Sequence, residues 1–173
     1  MFTSRNALIS LVAAAACFAI PTQAADSVFT AVMDGAQCLP EPITTPATGA
    51  VELRVSADGK KIDYKITLDK LSNPSQADLH VGAASQNGQA VVKLWPLGSA
   101  AARRGEVTGV LAEGSFDASD FIGPMPGTPM SDLLEEIRAG NTYVNVHTYD
   151  GVDPPYSGPG DYRVGEIRGQ IKP

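Results

Sequence analysis

Hydrophobic and polar residues alternate along two neighbouring segments of the chain. Residues 51–56 place Val or Leu at every odd position and a polar residue at every even one, and residues 62–69 repeat the alternation with the hydrophobic residues at even positions. A period of two indicates a strand with one buried face. Because Asp58-Gly59 between the two segments favours a tight turn, we predict an antiparallel hairpin.

Further short segments predict additional strands at 27–33, 77–82, 90–95, 105–116, 143–148 and 166–171. The chain contains 17 Gly and 13 Pro, which separate these segments, and the Pro-rich stretch 39–49 is predicted to be extended. No internal repeat is visible. Seven or eight short strands between turns favour an all-β fold, an antiparallel β-sandwich with Greek-key-like connections.

One segment departs from the strand pattern. Residues 131–139 carry Leu133, Leu134 and Ile137 on one side of a predicted helix, with Thr128-Pro129 or Ser131 to cap it and Gly140 to end it. This single short helix has too narrow an apolar stripe to form a layer alone. The predicted core comes from the inward strand positions: Val51, Leu53, Ile62, Tyr64, Ile66, Leu79, Val81, Val144, Val146, Ile167 and Ile171.

The first residues determine the expected compartment. Arg5 precedes an apolar run at 7–20, and small residues lead up to Ala24. This pattern predicts that residues 1–24 are a secretory signal peptide. Residues 25–173 are then predicted to form a single domain without a transmembrane segment. The protein is therefore expected to be periplasmic or secreted. The alternative is a lipoprotein anchored at Cys17. In the first case Cys38 remains without a disulfide partner, and we expect it to be a buried small side chain.

Charge excludes one class of partner. The chain has 13 Lys and Arg against 19 Asp and Glu, a formal net charge of −6 at pH 7. This is the wrong sign for holding a phosphate backbone, so nucleic acid is not an expected partner.

Three motifs resemble a known family. The segments ADLHVG (77–82), AGNTYVNVHT (139–148) and GEIRGQI (165–171), with the Pro-rich LPEPITTPATG (39–49), are similar to the CHRD (chordin-type) domain of exported bacterial proteins. Two features differ from the family pattern: Asp78 stands where the family often has the first His of His-x-His, and the loop at 149–164 is longer. The resemblance implies an exported β-sandwich that acts as an interaction module, without an established reaction.

The polar residues of these motifs share one side of the predicted strands. Because the apolar residues of each motif face the core, alternation predicts that the polar ones lie on the outer face. They include the only two histidines of the chain. The cluster consists of Asp78, His80, Tyr143, Asn145, His147, Glu166, Arg168 and Gln170.

Two interpretations of this cluster remain open. Asp78, His80 and His147 are suitable ligands for a zinc or copper ion completed by a water, provided that both imidazoles lie on the same side of one sheet with ligand atoms within about 5 Å. Alternatively, the same side chains form a hydrogen-bonded network that fixes strand register, with Arg168 paired to Asp78 or Glu166.

No complete catalytic set is visible in the sequence. There is no GxSxG motif, and Cys38 has no partner that the sequence identifies. We therefore predict a non-enzymatic exported module that binds a protein, a glycan or an envelope component, or has a structural role. The alternative is a domain that binds zinc or copper through Asp78, His80 and His147.

Overall fold

The computed structural model describes residues 27–95, 104–154 and 156–172, so the predicted signal peptide and Cys17 lie outside the described residues. Within these ranges, eight strands and one α-helix follow in chain order. They are β1 (Ser27–Asp34), β2 (Thr48–Val55), β3 (Lys61–Ser72), β4 (Pro74–Val81), β5 (Ala90–Trp95), β6 (Glu106–Asp117), α1 (Met130–Arg138), β7 (Thr142–Thr148) and β8 (Ile167–Gln170).

All neighbouring strands pair antiparallel, in the order β5-β4-β7-β8-β1-β2-β3-β6. The sheet has two four-stranded halves, joined between β1 and β8 by the pair Asp34 and Arg168. The halves share one core, and the Tyr64 hydroxyl on β3 donates to the Leu94 carbonyl on β5 at 2.7 Å. The predicted all-β sandwich with one short helix is confirmed, with its two layers formed by one continuous sheet.

The chain passes from the first half of the sheet to the second at Asn73. This residue has a φ of 49°, a left-handed conformation that Asn adopts more readily than most residues. Its N–H donates to the Gly105 carbonyl, and its own carbonyl accepts from the Tyr149 N–H. Strand β6 then returns to pair with β3, and β7 returns to pair with β4. These returns are the Greek-key-like connections that the sequence predicts.

The core agrees with the predicted set at all but two positions. Every predicted core residue except Tyr64 and Val81 is buried. Tyr64 is half-buried because its phenol oxygen must reach a polar partner, the Leu94 carbonyl. Val81 is half-buried because it is the last residue of β4, where the chain turns away from the sheet.

Helix α1 packs one face against this core. It ends as predicted, because Gly140 has a φ of 73° and its N–H donates to the Ile137 carbonyl. The predicted side-chain cap is wrong: the helix follows Pro129 without one, and the Thr128 hydroxyl donates backwards to the Met125 carbonyl. In the described ranges, no helix has the length and apolar character needed to cross a membrane. The buried helix residues are Met130, Leu133, Leu134 and Ile137.

We expect Ile66→Ala to lower the free energy of unfolding by about 2–4 kcal/mol, because Ile66 is fully buried and the change leaves a cavity. Urea denaturation measures the effect. The matched control is Lys65→Ala, one position along β3 on the exposed face, which should change stability by less than about 0.5 kcal/mol. A larger loss from Lys65→Ala than from Ile66→Ala would mean that the strand faces are exchanged.

Candidate metal centre

Three adjacent strands bring the polar motif residues together. In the paired register of β4, β7 and β8, Asp78 lies opposite Asn145, His80 lies opposite Tyr143, and Asn145 lies opposite Arg168. Directly paired residues of neighbouring strands point to the same side of a sheet. The alternation therefore places these side chains on one face of the second half of the sheet, opposite the core.

This face is not exposed, and in that respect the predicted outer surface is wrong. Asp78, Tyr143 and Arg168 are each only 2% exposed. Three loops cover the face: the Pro-rich connection before β2, the turn between β4 and β5, and the long segment between β7 and β8. Alternation decides on which side of a sheet a residue lies, but not what packs over that side.

Asp78, His80 and His147 form a compact group of possible metal ligands. One ligand atom of each lies within 4.8 Å of those of the other two. His147 Nε2 lies 3.4 Å from Asp78 Oδ2. Ligands of a tetrahedral zinc ion, with bonds of about 2.0–2.1 Å, lie about 3.4 Å apart. The separations in this group therefore exceed that spacing by about 1.4 Å at most.

Backbone carbonyls set the tautomer of both imidazoles. Nδ1 of His80 lies 3.0 Å from the Gly88 carbonyl oxygen, and Nδ1 of His147 lies 2.7 Å from that of Arg163. Because a carbonyl oxygen only accepts, each Nδ1 donates, and each neutral ring presents the lone pair of its Nε2. Burial lowers the pKa of His80, which favours its neutral form.

Four hydrogen-bond acceptors in this cluster have no donor among the described residues. Asp78 Oδ1, Asn145 Oδ1 and the Nε2 atoms of His80 and His147 are all buried without a partner. Asp78 Oδ2 accepts from the side-chain amide of Gln76. Buried acceptors without donors are costly. Chemically, this arrangement suits a cation.

Arg168 forms neither of the ion pairs expected from the sequence. Its guanidinium carbon lies 3.8 Å from the centroid of the Tyr143 ring, and the His80 ring stacks on that ring at 4.7 Å with an interplanar angle of 11°. Because β8 and β4 flank β7, the guanidinium and the imidazole lie against opposite faces of Tyr143. The expected pairing with Asp78 or Glu166 is wrong, because the two terminal NH₂ groups donate to backbone carbonyls and to Gln170, while Nε is buried without a hydrogen-bond partner among the described residues.

The guanidinium donates to four backbone carbonyls and to one side chain, at 3.1–3.2 Å. Three of the carbonyls belong to the turn between β4 and β5, and the fourth follows β1. Gln170 extends this network by donating to the carbonyls of Gly82 and Gly140. The carbonyl acceptors of Arg168 are Gln37, Ala83, Ala84 and Gln86, and its side-chain acceptor is Gln170.

Glu166 has contacts different from those predicted. Its side chain is 1% exposed and accepts hydrogen bonds from the Thr45 hydroxyl, the Thr148 hydroxyl and the Gly160 N–H at 2.6–2.7 Å. Strand β8 begins only at Ile167, so the strict alternation assumed for residue 166 does not apply. Glu166 joins the Pro-rich connection to the long loop.

Two features of the centre are not among the residues predicted from the sequence. Gln76 lies two residues before Asp78 on β4, so the spacing that identified His80 identifies it as well. The Gly88 and Arg163 carbonyls that orient the imidazoles give no signal in the sequence, because every residue type has a backbone carbonyl.

A cavity of about 560 Å³ opens onto this centre. His80, Asn145 and His147 line it together with Cys38, which is buried and free, as expected from the sequence. The Cys38 thiol lies 3.4 Å from the Glu166 carbonyl oxygen. Burial raises the pKa of Cys38 from its ordinary value of 9.0 to about 11.

Comparison with protein families identifies the chain. The family model of the CHRD domain matches residues 29–154, more than half of the 173 residues. The chain belongs to the CHRD domain family. The matched range includes Asp78, His80 and His147, the three candidate metal ligands of this CHRD domain. Arg168 and Gln170 lie beyond the matched range, on β8. A search of curated proteins finds no match.

We expect Arg168→Lys to destabilise the CHRD domain by about 2–4 kcal/mol, because an ammonium group cannot reach the same set of carbonyls and leaves buried acceptors unpaired. Urea denaturation measures the loss. Arg54→Lys is the matched control: Arg54 forms an exposed ion pair with Glu52, so its replacement should cost less than about 1 kcal/mol. A similar cost at both positions would contradict the role assigned to Arg168.

We expect iodoacetamide to label Cys38 about 100-fold more slowly in the folded protein than in urea at pH 8, since a pKa raised from 9.0 to about 11 reduces the thiolate fraction by that factor. The native rate should rise about tenfold per pH unit until the pH approaches 11. Peptide mass spectrometry quantifies the label at Cys38 itself. Equal native and unfolded rates would show that the thiol is neither buried nor shifted.

Proposed function

We propose that this CHRD domain is an exported, non-enzymatic binding module that holds a zinc or copper ion through Asp78, His80 and His147. Membership of the CHRD family supports a binding or structural module in general. The observation that carries the metal assignment is the convergence of four buried acceptors without donors, three of them on the candidate ligands. Residues 1–24 act as the signal peptide of a single domain at 25–173, with a lipoprotein anchored at Cys17 as the alternative.

The donor set has the composition of a transition-metal site. Two neutral imidazoles and a carboxylate suit zinc and copper, and three protein ligands leave a position for a water or a bound molecule. Metal-binding histidines commonly donate their second ring nitrogen to a carbonyl or a carboxylate, which orients the ring. Both histidines of this cluster have such a carbonyl partner.

The alternative, a purely structural network, accounts less well for the same atoms. Such a network requires each acceptor to face a donor. Arg168, the cation expected to provide donors, directs its hydrogen bonds to backbone carbonyls and to Gln170. In the neutral tautomer that the Arg163 carbonyl sets, His147 Nε2 and Asp78 Oδ2 are both acceptors, whereas an imidazolium would form an ion pair through the same contact. A metal ion satisfies both atoms at once.

Metal analysis of the purified protein tests the proposal. After equilibration with Zn²⁺ or Cu²⁺ and removal of free metal, we expect about one ion per chain, with a rise in Tm because only the folded state contains the site. Fe²⁺ belongs in the same panel, since two histidines and a carboxylate also bind iron. His80→Gln, His147→Gln and Asp78→Asn should each weaken binding by about tenfold or more.

Asp63→Asn is the matched control, because Asp63 is an exposed carboxylate on β3 outside the cluster. It should bind metal as the unmodified protein does. The Tm of each metal-free variant shows whether the fold is retained. Substoichiometric binding of every metal in the panel, by a folded protein, would rule out the metal site and leave a binding module without an ion.

A further inference from the structure

Three loops cover the polar face of β4, β7 and β8 without filling the space above it. The cavity between them has a volume of about 560 Å³, within the usual range for small-molecule sites, about 300–1,000 Å³. Its floor is the sheet, where Tyr143 and Asn145 contribute to the lining. Its walls come from the Pro-rich connection, the turn between β4 and β5, and the long segment between β7 and β8. The chemistry of these walls determines which kind of molecule fits.

Hydrogen bonds fix the positions of the walls. The Asn87 side chain in the turn after β4 donates to the Leu39 carbonyl of the Pro-rich connection at 3.1 Å. The Asn145 side chain on the floor donates to the Val164 carbonyl of the long segment at 2.9 Å. Because the walls are tied to one another and to the floor, a ligand that enters has little of the chain to order.

The inner surfaces of the cavity offer no accessible charge. The Nε2 atoms of His80 and His147 are buried, and their Nδ1 atoms donate to carbonyls. Arg168 is 2% exposed, and its terminal NH₂ groups donate mainly to backbone carbonyls. The Cys38 thiol is protonated at neutral pH, because burial raises its pKa to about 11. These four side chains leave the cavity without an ionic partner for a ligand.

Glu41 is, among the described lining residues, the one that is both charged and exposed. Water screens its charge, so it contributes little to the binding of a cation. Within the cavity, a charged group would lose hydration without meeting an opposite charge, which is costly. The cavity therefore favours an uncharged ligand.

Apolar and aromatic side chains form most of the walls. The rings of Tyr156 and Tyr162 have centroids 6.3 Å apart and planes at 57°, and Pro40, Ile43 and Val164 also line the cavity. Tyr156 and Val164 are 50% and 61% exposed, so they present surface that a ligand can bury. Burial of apolar surface is favourable, and aromatic side chains add stacked or edge-to-face contacts with a flat ring. The walls therefore suit an aromatic ring.

We infer that this cavity binds a small, uncharged aromatic molecule, with its ring against Tyr156 and Tyr162. The inference rests on the proposed binding module and adds the class of its ligand. It does not depend on the metal ion, because the atoms proposed to hold the ion are buried. The ring and the ion therefore bind separately, and each can be measured without the other.

Calorimetric titration of the metal-free protein with 2-naphthalenemethanol tests the inference. We expect saturable binding of one molecule per chain, with a negative heat-capacity change because apolar surface is buried. Two charged analogues, 2-naphthoate and 2-naphthylmethylammonium, keep the ring and should bind at least tenfold more weakly. Decahydro-2-naphthalenemethanol lacks the aromatic contacts and should bind about two- to tenfold more weakly. The zinc-loaded protein should bind 2-naphthalenemethanol with the same affinity.

Variants of the walls locate the site. The double variant Tyr156→Ala/Tyr162→Ala, which removes both rings, should weaken 2-naphthalenemethanol binding at least tenfold. The double variant Tyr156→Phe/Tyr162→Phe keeps both rings and should bind as the unmodified protein does. Val32→Ala is a second control, since Val32 is 69% exposed on β1 and does not line the cavity. The Tm of each variant shows whether the fold is retained.

The outcomes separate this inference from the metal site. A folded protein that binds one zinc ion but not 2-naphthalenemethanol, or that binds a charged analogue as tightly, overturns the inference and leaves the metal site standing. Unchanged binding in the double alanine variant also overturns it. Binding of 2-naphthalenemethanol in the expected pattern by a protein that binds none of the metals supports the inference and overturns the metal site.

Discussion

The buried guanidinium of Arg168 is the interaction on which the candidate site depends. It lies between one aromatic ring and four backbone carbonyls, and those carbonyls belong to segments that are distant from β8 in the chain. A single side chain thus ties the turn after β4 and the chain after β1 to the same strand. The same guanidinium lies against one face of the Tyr143 ring, and the His80 ring stacks on the other face. The position of the turn after β4, of the chain after β1 and of the His80 ring therefore depends on one cation.

Arg168 does not form an ion pair with Asp78 or Glu166, and this affects the charge around the candidate metal ligands. If its guanidinium faced Asp78, that carboxylate would be neutralised and a metal ion would be repelled. Because the guanidinium donates to carbonyls and lies on an aromatic face instead, it does not pair with the Asp78 carboxylate, which is left for another partner. The Tyr143 ring lies between the Arg168 guanidinium and the His80 imidazole.

Much of this arrangement follows from the sequence. The period of two in β2, β3, β4 and β7 predicts the hairpin, the core and the common face of Asp78, His80 and His147, because side-chain direction in a strand depends only on position. The cover of that face, the contacts of Glu166 and the acceptors of Arg168 could not be predicted, since each depends on loops whose paths have no periodic signal. Tyr64 and Val81 deviate for local reasons, a phenol oxygen and a strand end.

The contact between the Arg163 carbonyl and His147 restricts which sequence changes related domains can accept between β7 and β8. The contact uses the main chain, so almost any amino acid at position 163 can provide it, and no residue identity records the constraint. The length of the segment between β7 and β8 is restricted instead, because an insertion or deletion near this point displaces the carbonyl from the ring. Related chains can therefore change the residue at position 163 while tolerating few changes in the spacing of this segment.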